Sequence, residues 1–385
     1  MYERIFLIVL DSLGVGAADD ALKYGDEGAN TLGHIIEKGN YNLNVLEKLG
    51  FLNLVGVNKE RTIGYRTIMK PKNLAKDTLN GHYEMMGLIE EKPFQTYPDG
   101  FPLELISEIQ HAVGREVIGN VVASGTKIIE ELGEMHMKTG AIIVYTSADS
   151  VLQVAAHESI IPVQELYNIC KKISEIVLTD KYKIGRVIAR PFIGKPGDFV
   201  RTPKRKDFTV VPKENYLDLL FKHRVEVLTL GKIGDIFANK SITTSIKTTN
   251  NIDGLMKLID VAKSDFKGLC FLNLNDFDTL FGHRRDRDGY LRALEELNYY
   301  LPIFLNRLKP TDLVVFTADH GNDPTYTGTD HTRENVPLVA YSTSMKSSGE
   351  LEPRDTFADI GATIIDNFDI DDTLKTGTSF LELLH

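Results

Sequence analysis

The chain has 385 residues, 42% of them hydrophobic and 25% charged, close to the globular average. That excludes a collagen-like fibre, a disordered chain and a small disulfide scaffold; at roughly 100–200 residues per domain it points to two domains, or one large body with an insertion. Basic residues number 44 against 54 acidic ones, a net charge of −10, which suits duplex DNA poorly but leaves local clusters able to hold a small anion or divalent cations.

Residues Ile5–Leu10 are apolar throughout and predict a strand buried on both faces. That run is shorter than the apolar region of a secretory leader, and nothing approaches 18 apolar residues, so a cytoplasmic chain without a membrane span is expected. From about Phe94 to Thr209 a separate alternation follows: helix Pro102–Val113, strand Ala141–Tyr145, helix Pro162–Leu178, strand Gly185–Ala189. Pro93, Pro98 and Pro102 punctuate its entry, and Pro191, Pro196, Pro203 and Pro212 its exit. An inserted domain over 94–209 is expected, with 1–93 and 210–385 forming a discontinuous core. In the last third, strands Val225–Leu230, Leu269–Leu274, Leu313–Phe316 and Pro337–Tyr341 alternate with helices Asn251–Lys263, Gly289–Leu308 and Thr356–Asn367. This grammar predicts an α/β core with a mainly parallel sheet and helices on both faces, carrying a smaller α/β cap. Cys170 and Cys270 sit in apolar runs with no paired spacing and read as buried thiols.

The acids fall at strand ends, where open α/β sheets bind ligands. Asp11 follows IFLIVL, Asp276 and Asp278 follow CFLNLN, and Asp319 follows LVVFTA. A carboxylate directly after a buried strand is costly unless a cation meets it. Three of the ten histidines adjoin these acids: His283 five residues past Asp278, His320 beside Asp319, and His331 on the next loop. Three acids and three imidazoles suffice for two ions, and the mixture suits Zn, Mn or Fe better than Ca. Asp278 is the preferred ligand of its pair, with Asp276 supporting. Paired cations serve phosphoryl transfer, which needs a phosphorylatable group. Thr78, in DTLNGH before a helical stretch, is one candidate, because helix amides can meet a phosphate. Ser12 is another, and spacing does not separate them.

The motifs DSLGVG (Asp11–Gly16), KDTLNGHYEMMG (Lys76–Gly87), YTSADSVLQVAAHE (Tyr145–Glu158), GRVIARPF (Gly185–Phe192), NDFDTLFGHRRD (Asn275–Asp286), TADHGNDPTYTGTDHTRE (Thr317–Glu334) and TGTSF (Thr376–Phe380) resemble the phosphopentomutase family of the alkaline-phosphatase-like metalloenzymes. YTSADSVLQ and GRVIARPF are the most specific of them. The resemblance implies that Asp278, His283 and His331 hold one Mn²⁺, and Asp11, Asp319 and His320 a second, beside Thr78 as phosphate carrier. It implies interconversion of ribose or deoxyribose 1- and 5-phosphates, primed by a sugar 1,6- or 1,5-bisphosphate. A sister metal-dependent phosphatase or cofactor-independent phosphoglycerate mutase is the alternative. Small pentose phosphates are the expected partners, with no nucleic acid and no membrane.

A mutase must keep water from its phosphoenzyme, which a closing second domain would do. Residues 181–206 hold nine Lys/Arg and one acid, Asp198, a local reversal of the chain's charge. In GRVIAR, strand alternation puts Arg186, Ile188 and Arg190 on one face. Arg186, with Lys232, is expected to grip the substrate's non-transferring phosphate. The resemblance adds Ser147, Asp149 and Val151 as the sugar pocket lining.

Overall fold

A computed structural model describes residues 1–57, 61–89, 94–147 and 150–384. The chain divides into two compact units, Met1–Glu91 with Pro212–His385, and Lys92–Val211. In chain order the strands are β1 (Arg4–Leu10), β2 (Tyr65–Met69), β3 (Val117–Val122), β4 (Ile142–Thr146), β5 (Val151–His157), β6 (Arg186–Ile193), β7 (Val200–Arg201), β8 (Lys206–Thr209), β9 (Glu226–Leu230), β10 (Thr244–Ile246), β11 (Gly268–Leu274), β12 (Asp312–Thr317), β13 (Val336–Tyr341) and β14 (Gly349–Glu350).

The larger unit is built on one eight-stranded sheet, ordered β10-β9-β11-β1-β12-β13-β2-β14. From β10 to β12 every pairing is parallel, while β13 runs antiparallel to both β12 and β2. Every residue of β1, β11 and β12 is buried, so both faces of the sheet's centre are covered, as continuous apolar runs require. The one basic residue in β1, Arg4, is buried and neutralised by Asp312 of β12, with Nε and Nη2 donating to the two carboxylate oxygens at 2.8 and 2.6 Å. This α/β class, with a mostly parallel core, is the expected one.

The smaller unit holds a second sheet, β3-β4-β5-β6-β7, with β8 also paired to β6. Alternation divides its side chains between two cores. Ile142, Val144, Leu152, Val154, Val187 and Ala189 face one cluster, shared with the helices Leu103–Val113 and Val163–Val177. Ile143, Tyr145, Ala155 and Phe192 face the other, under the helix Gly125–Thr139. Pro191 is not an exit signal but lies within β6. It falls between the β8 partners, which stop at Ala189, and the β7 partners, which start at Phe192, so the missing N–H goes unused on that side. Both cysteines are buried and unpaired, and burial pushes the Cys270 thiol up to about 12. No helix among the described residues is long and apolar enough to cross a membrane.

Candidate metal centre

The site lies at the carboxyl ends of three adjacent parallel strands. β1 stands between β11 and β12, with Leu10 level with Leu274 and Val9 level with Thr317. Asp11 therefore emerges beside the β11 end, and Asp319 beside Asp11. Asp278 sits on a single π-helical turn, Phe277–Gly282. That turn explains the five-residue spacing: the His283 amide donates to the Asp278 carbonyl at 3.0 Å, bringing the imidazole back over the carboxylate. Asp276 faces elsewhere, its Oδ2 accepting from the Asn251 amide that opens the helix Asn251–Lys263.

Asp278, His283 and His331 converge with donor atoms within 4.8 Å of one another, and so do Asp11, Asp278 and His320. His283 Nε2 lies 3.2 Å from Asp278 Oδ2, and His331 Nε2 3.4 Å from Oδ1. Asp319 Oδ2 joins the second group 3.3 Å from His320 Nε2, with Asp11 Oδ1 at 3.7 Å. Asp278 thus stands between the two clusters.

Backbone carbonyls set the tautomers. His283 Nδ1 faces the Thr329 carbonyl at 2.7 Å, and His320 Nδ1 faces that of Gly321 at 3.1 Å. A carbonyl only accepts, so Nδ1 carries the proton in each ring and Nε2 presents a lone pair to the cluster. Asp11 Oδ1 and Asp319 Oδ2 are buried with no hydrogen-bond partner among the described residues. Buried oxygens left unmatched beside imidazole lone pairs fit a cation, and divalent ions would be held by these six side chains.

The electrostatics carry the same message. Burial, then the neighbouring Asp319 charge, push the Asp11 carboxyl well above the usual range. Burial would raise Asp278 too, but the His331 and His283 imidazoles hold it well below. Asp319 sits at about 2, burial being outweighed by His320 and His82. Lys232, beginning a short helix after β9, lowers Asp11 by its charge and so lies close to this rim.

Thr78 is the first residue of the helix Thr78–Met85, and Asp77 before it is the cap, accepting from the Asn80 amide at 3.0 Å. The Thr78 hydroxyl is half-buried and 3.2 Å from His320 Nε2. Ser12, the rival candidate, has its hydroxyl 3.2 Å from the Tyr290 phenol, while its amide donates to Asp319 Oδ1 at 3.0 Å.

Several contributors carry no strand-end signature. His82, one helical turn after Thr78, is fully buried; its Nδ1 lies 2.8 Å from the Thr78 carbonyl and 3.3 Å from Asp319 Oδ2. Asn273 donates to Asp11 Oδ2 at 3.0 Å, and Asn322 to Asp278 Oδ1 at 2.8 Å. Only the i, i+4 spacing from Thr78 marks His82 in the sequence.

The remaining candidates belong to the smaller unit. Ser147 directly follows β4, Val151 opens β5, and Val151 pairs with Arg186, the first residue of β6. Ile188 is buried on the Arg186 face. Asp149 lies outside the described residues.

A family model described as the metalloenzyme superfamily matches residues 3–372. Among solved structures, a Pyrococcus horikoshii protein is 14% identical, covering 96% of this chain and 98% of its own, with a TM-score of 0.49. Leishmania mexicana phosphoglycerate mutase is 12% identical, with 98% and 97% covered and a TM-score of 0.48. A Vibrio parahaemolyticus protein of the alkaline phosphatase superfamily is 10% identical, with 99% and 70% covered and a TM-score of 0.47.

Proposed function

The chain belongs to the metalloenzyme superfamily, and from that premise we propose that it is a phosphopentomutase, interconverting the 1- and 5-phosphates of ribose or deoxyribose. One observation carries the reading: the Thr78 hydroxyl stands at a helix N-terminus, 3.2 Å from His320 Nε2, inside the acid–imidazole cluster. YTSADSVLQ and GRVIARPF support a pentose phosphate as substrate.

Two ions, manganese in this reading, would be held by Asp278, His283 and His331, and by Asp11, Asp319 and His320; when bound they neutralise charge on the transferring phosphoryl group. The chain does the rest. Thr78 Oγ1 takes a phosphoryl group from a priming sugar bisphosphate: its bond to phosphorus forms as the sugar's O–P bond breaks, and the threonine proton passes to the released sugar oxygen. Phosphothreonine then donates to the free hydroxyl of a pentose phosphate, and the bisphosphate so formed returns its other phosphoryl group to Thr78. Arg186 grips the phosphate that stays, and Ser147, Asp149, Val151 and Ile188 line the sugar.

The test is the product of ribose 5-phosphate with manganese and a trace of sugar bisphosphate. Ribose 1-phosphate should appear while total organic phosphate stays constant, and one phosphoryl mass should map to Thr78. Released inorganic phosphate would make the protein a phosphatase, and turnover of phosphoglycerates alone a phosphoglycerate mutase. Thr78→Ala should lose about a thousandfold or more in rate while keeping its metal.

A further inference from the structure

The basic stretch 181–206 contains more cations than a grip by Arg186 requires. Arg190 lies on the same face of β6, and its Nε donates to Gln153 Oε1 at 3.0 Å. Gln153 is the register partner of Tyr145 on β4. Tyr145 is fully buried, and its hydroxyl, close to the Arg190 side chain, makes no well-aligned hydrogen bond among the described residues. Arg201, on β7, pairs opposite Phe192.

These groups meet at the N-terminus of the 15-residue helix Gly125–Thr139. A β-carbon on Gly125 would stand 2.7 Å from Tyr145 Oη and 2.8 Å from Arg201 Nη1. Phenol and guanidinium therefore converge on the space that the missing side chain leaves. Ser124 caps only the Lys127 amide, at 3.3 Å, so the helix end keeps amides with no partner within the helix and its partial positive charge.

The charges do not balance. Asp207 binds Arg205 through both carboxylate oxygens, each at 2.6 Å, and lies 3.7 Å from Arg186. Among the ion pairs of the described residues, neither Arg190 nor Arg201 has a carboxylate of its own. Burial lowers the Arg190 guanidinium, and the charges of Arg205 and Arg201 push it the same way against the Tyr145 phenol and the Asp207 carboxylate, which raise it. A buried phenol with no well-aligned partner, the exposed Arg201 guanidinium and a helix N-terminus all lack the same thing, an anion with acceptor oxygens pointing in several directions.

We infer that the smaller unit carries a phosphate-binding site of its own, formed by Gly125 and its helix amides, Tyr145, Arg190 and Arg201. Its ligand is a phosphate dianion, either free or as the end of a sugar phosphate.

Calorimetric titration of the full-length protein with inorganic phosphate, with metals removed by a chelator, tests this. Gly125→Ala fills the cradle and displaces the Tyr145 phenol or the Arg201 guanidinium, which would stand 2.7 and 2.8 Å from the new β-carbon. Arg201→Gln removes a charge at the exposed rim. Phosphate binding should survive chelation in the wild type and weaken about tenfold or more in both variants, with Arg201→Gln, at an exposed position, keeping the wild-type melting temperature. A parallel titration with ribose 5-phosphate separates the sources: equal weakening makes the sugar phosphate the ligand, and no change makes it free phosphate. Absence of phosphate binding in the chelated wild type, or binding that neither substitution moves, overturns the inference. Thr78 phosphorylation is read separately, so this site and the pentomutase reading fail or stand independently.

Discussion

The strand ends of the larger unit and the helix-covered sheet face of the smaller one use a single device with opposite charge. In the first, neighbouring strands from distant parts of the chain deliver Asp11, Asp278 and Asp319 to one rim, and two buried carboxylate oxygens stay unmatched. In the second, neighbouring strands deliver Arg186, Arg190 and Arg201 to one face, and a buried phenol is left with no well-aligned partner. A buried polar atom without a partner costs about 1–3 kcal/mol, so such atoms are rare in a finished structure. Where they cluster, the sign of the surrounding charge names the missing ligand: a cation at the rim, an anion at the face.

The largest effect should come from breaking the rim. Asp278 stands between both donor clusters, so Asp278→Asn weakens both. Partners of metal ligands alone are worth about 10–100-fold in affinity, and a ligand shared by both clusters should cost about a hundredfold or more. Metal content after desalting measures this directly. Metal binding should also displace protons held by Asp11, because burial and Asp319 hold its carboxyl well above its ordinary value. Wild-type metal content in Asp278→Asn would remove the cationic half of the contrast.

A smaller effect, of a different kind, should come from the face. Arg186→Ala removes one or two charge-assisted hydrogen bonds worth about 1.5–3 kcal/mol each, raising KM for ribose 5-phosphate about tenfold to a hundredfold. Metal content should not change. Lost manganese would mean that Arg186 supports the metal-binding unit instead, and the two regions would no longer be separable.

The rim was legible in the sequence because its signals are extreme. Ile5–Leu10 and Leu269–Leu274 are apolar at every position but Asn273, and carboxylates following such runs have no bland explanation. The helix Asn251–Lys263 was legible to its ends, since Asn250 caps it by accepting from the Asp253 amide. Elements with mixed patterns were not legible. β2 alternates weakly, β3 is largely exposed, and β5 carries Gln153 amid small residues. Pro191 was misread because a proline's tolerance depends on which strands flank it, which no local pattern records. The antiparallel β13 follows from its β12 and β2 neighbours rather than from its own residues. His82 and Asn273 contribute through contacts between segments far apart in the chain, and each looks locally like an ordinary core polar residue.

The last effect acts on stability rather than on ligand binding and concerns Glu334, a core carboxylate that is fully supplied with donors where Asp11 and Asp319 are not. It accepts from the Thr31 amide (2.8 Å), the Thr31 and Thr332 hydroxyls (2.6 and 2.7 Å) and the Gly16 amide (3.2 Å). Gly14 and Gly321 make room for it, since a β-carbon at either would come within 2.2 or 2.4 Å of its carboxylate. Burial outweighs those donors and lifts Glu334 from 4.5 to about 7. The folded state therefore holds a proton that the unfolded chain releases, and this group's contribution is fully present below pH 4.5 and lost as pH rises to about 7. The change is on the order of 3 kcal/mol across that window. Glu334→Gln cannot ionise, so relative to wild type it should gain stability between pH 5 and 8, read as a narrowing or reversal of the gap in melting temperature. A gap that does not move with pH would mean that Glu334 is ionised throughout, placing a further negative charge beside Thr31 and Asp323 and leaving the rim more dependent on its cations than its own six side chains require.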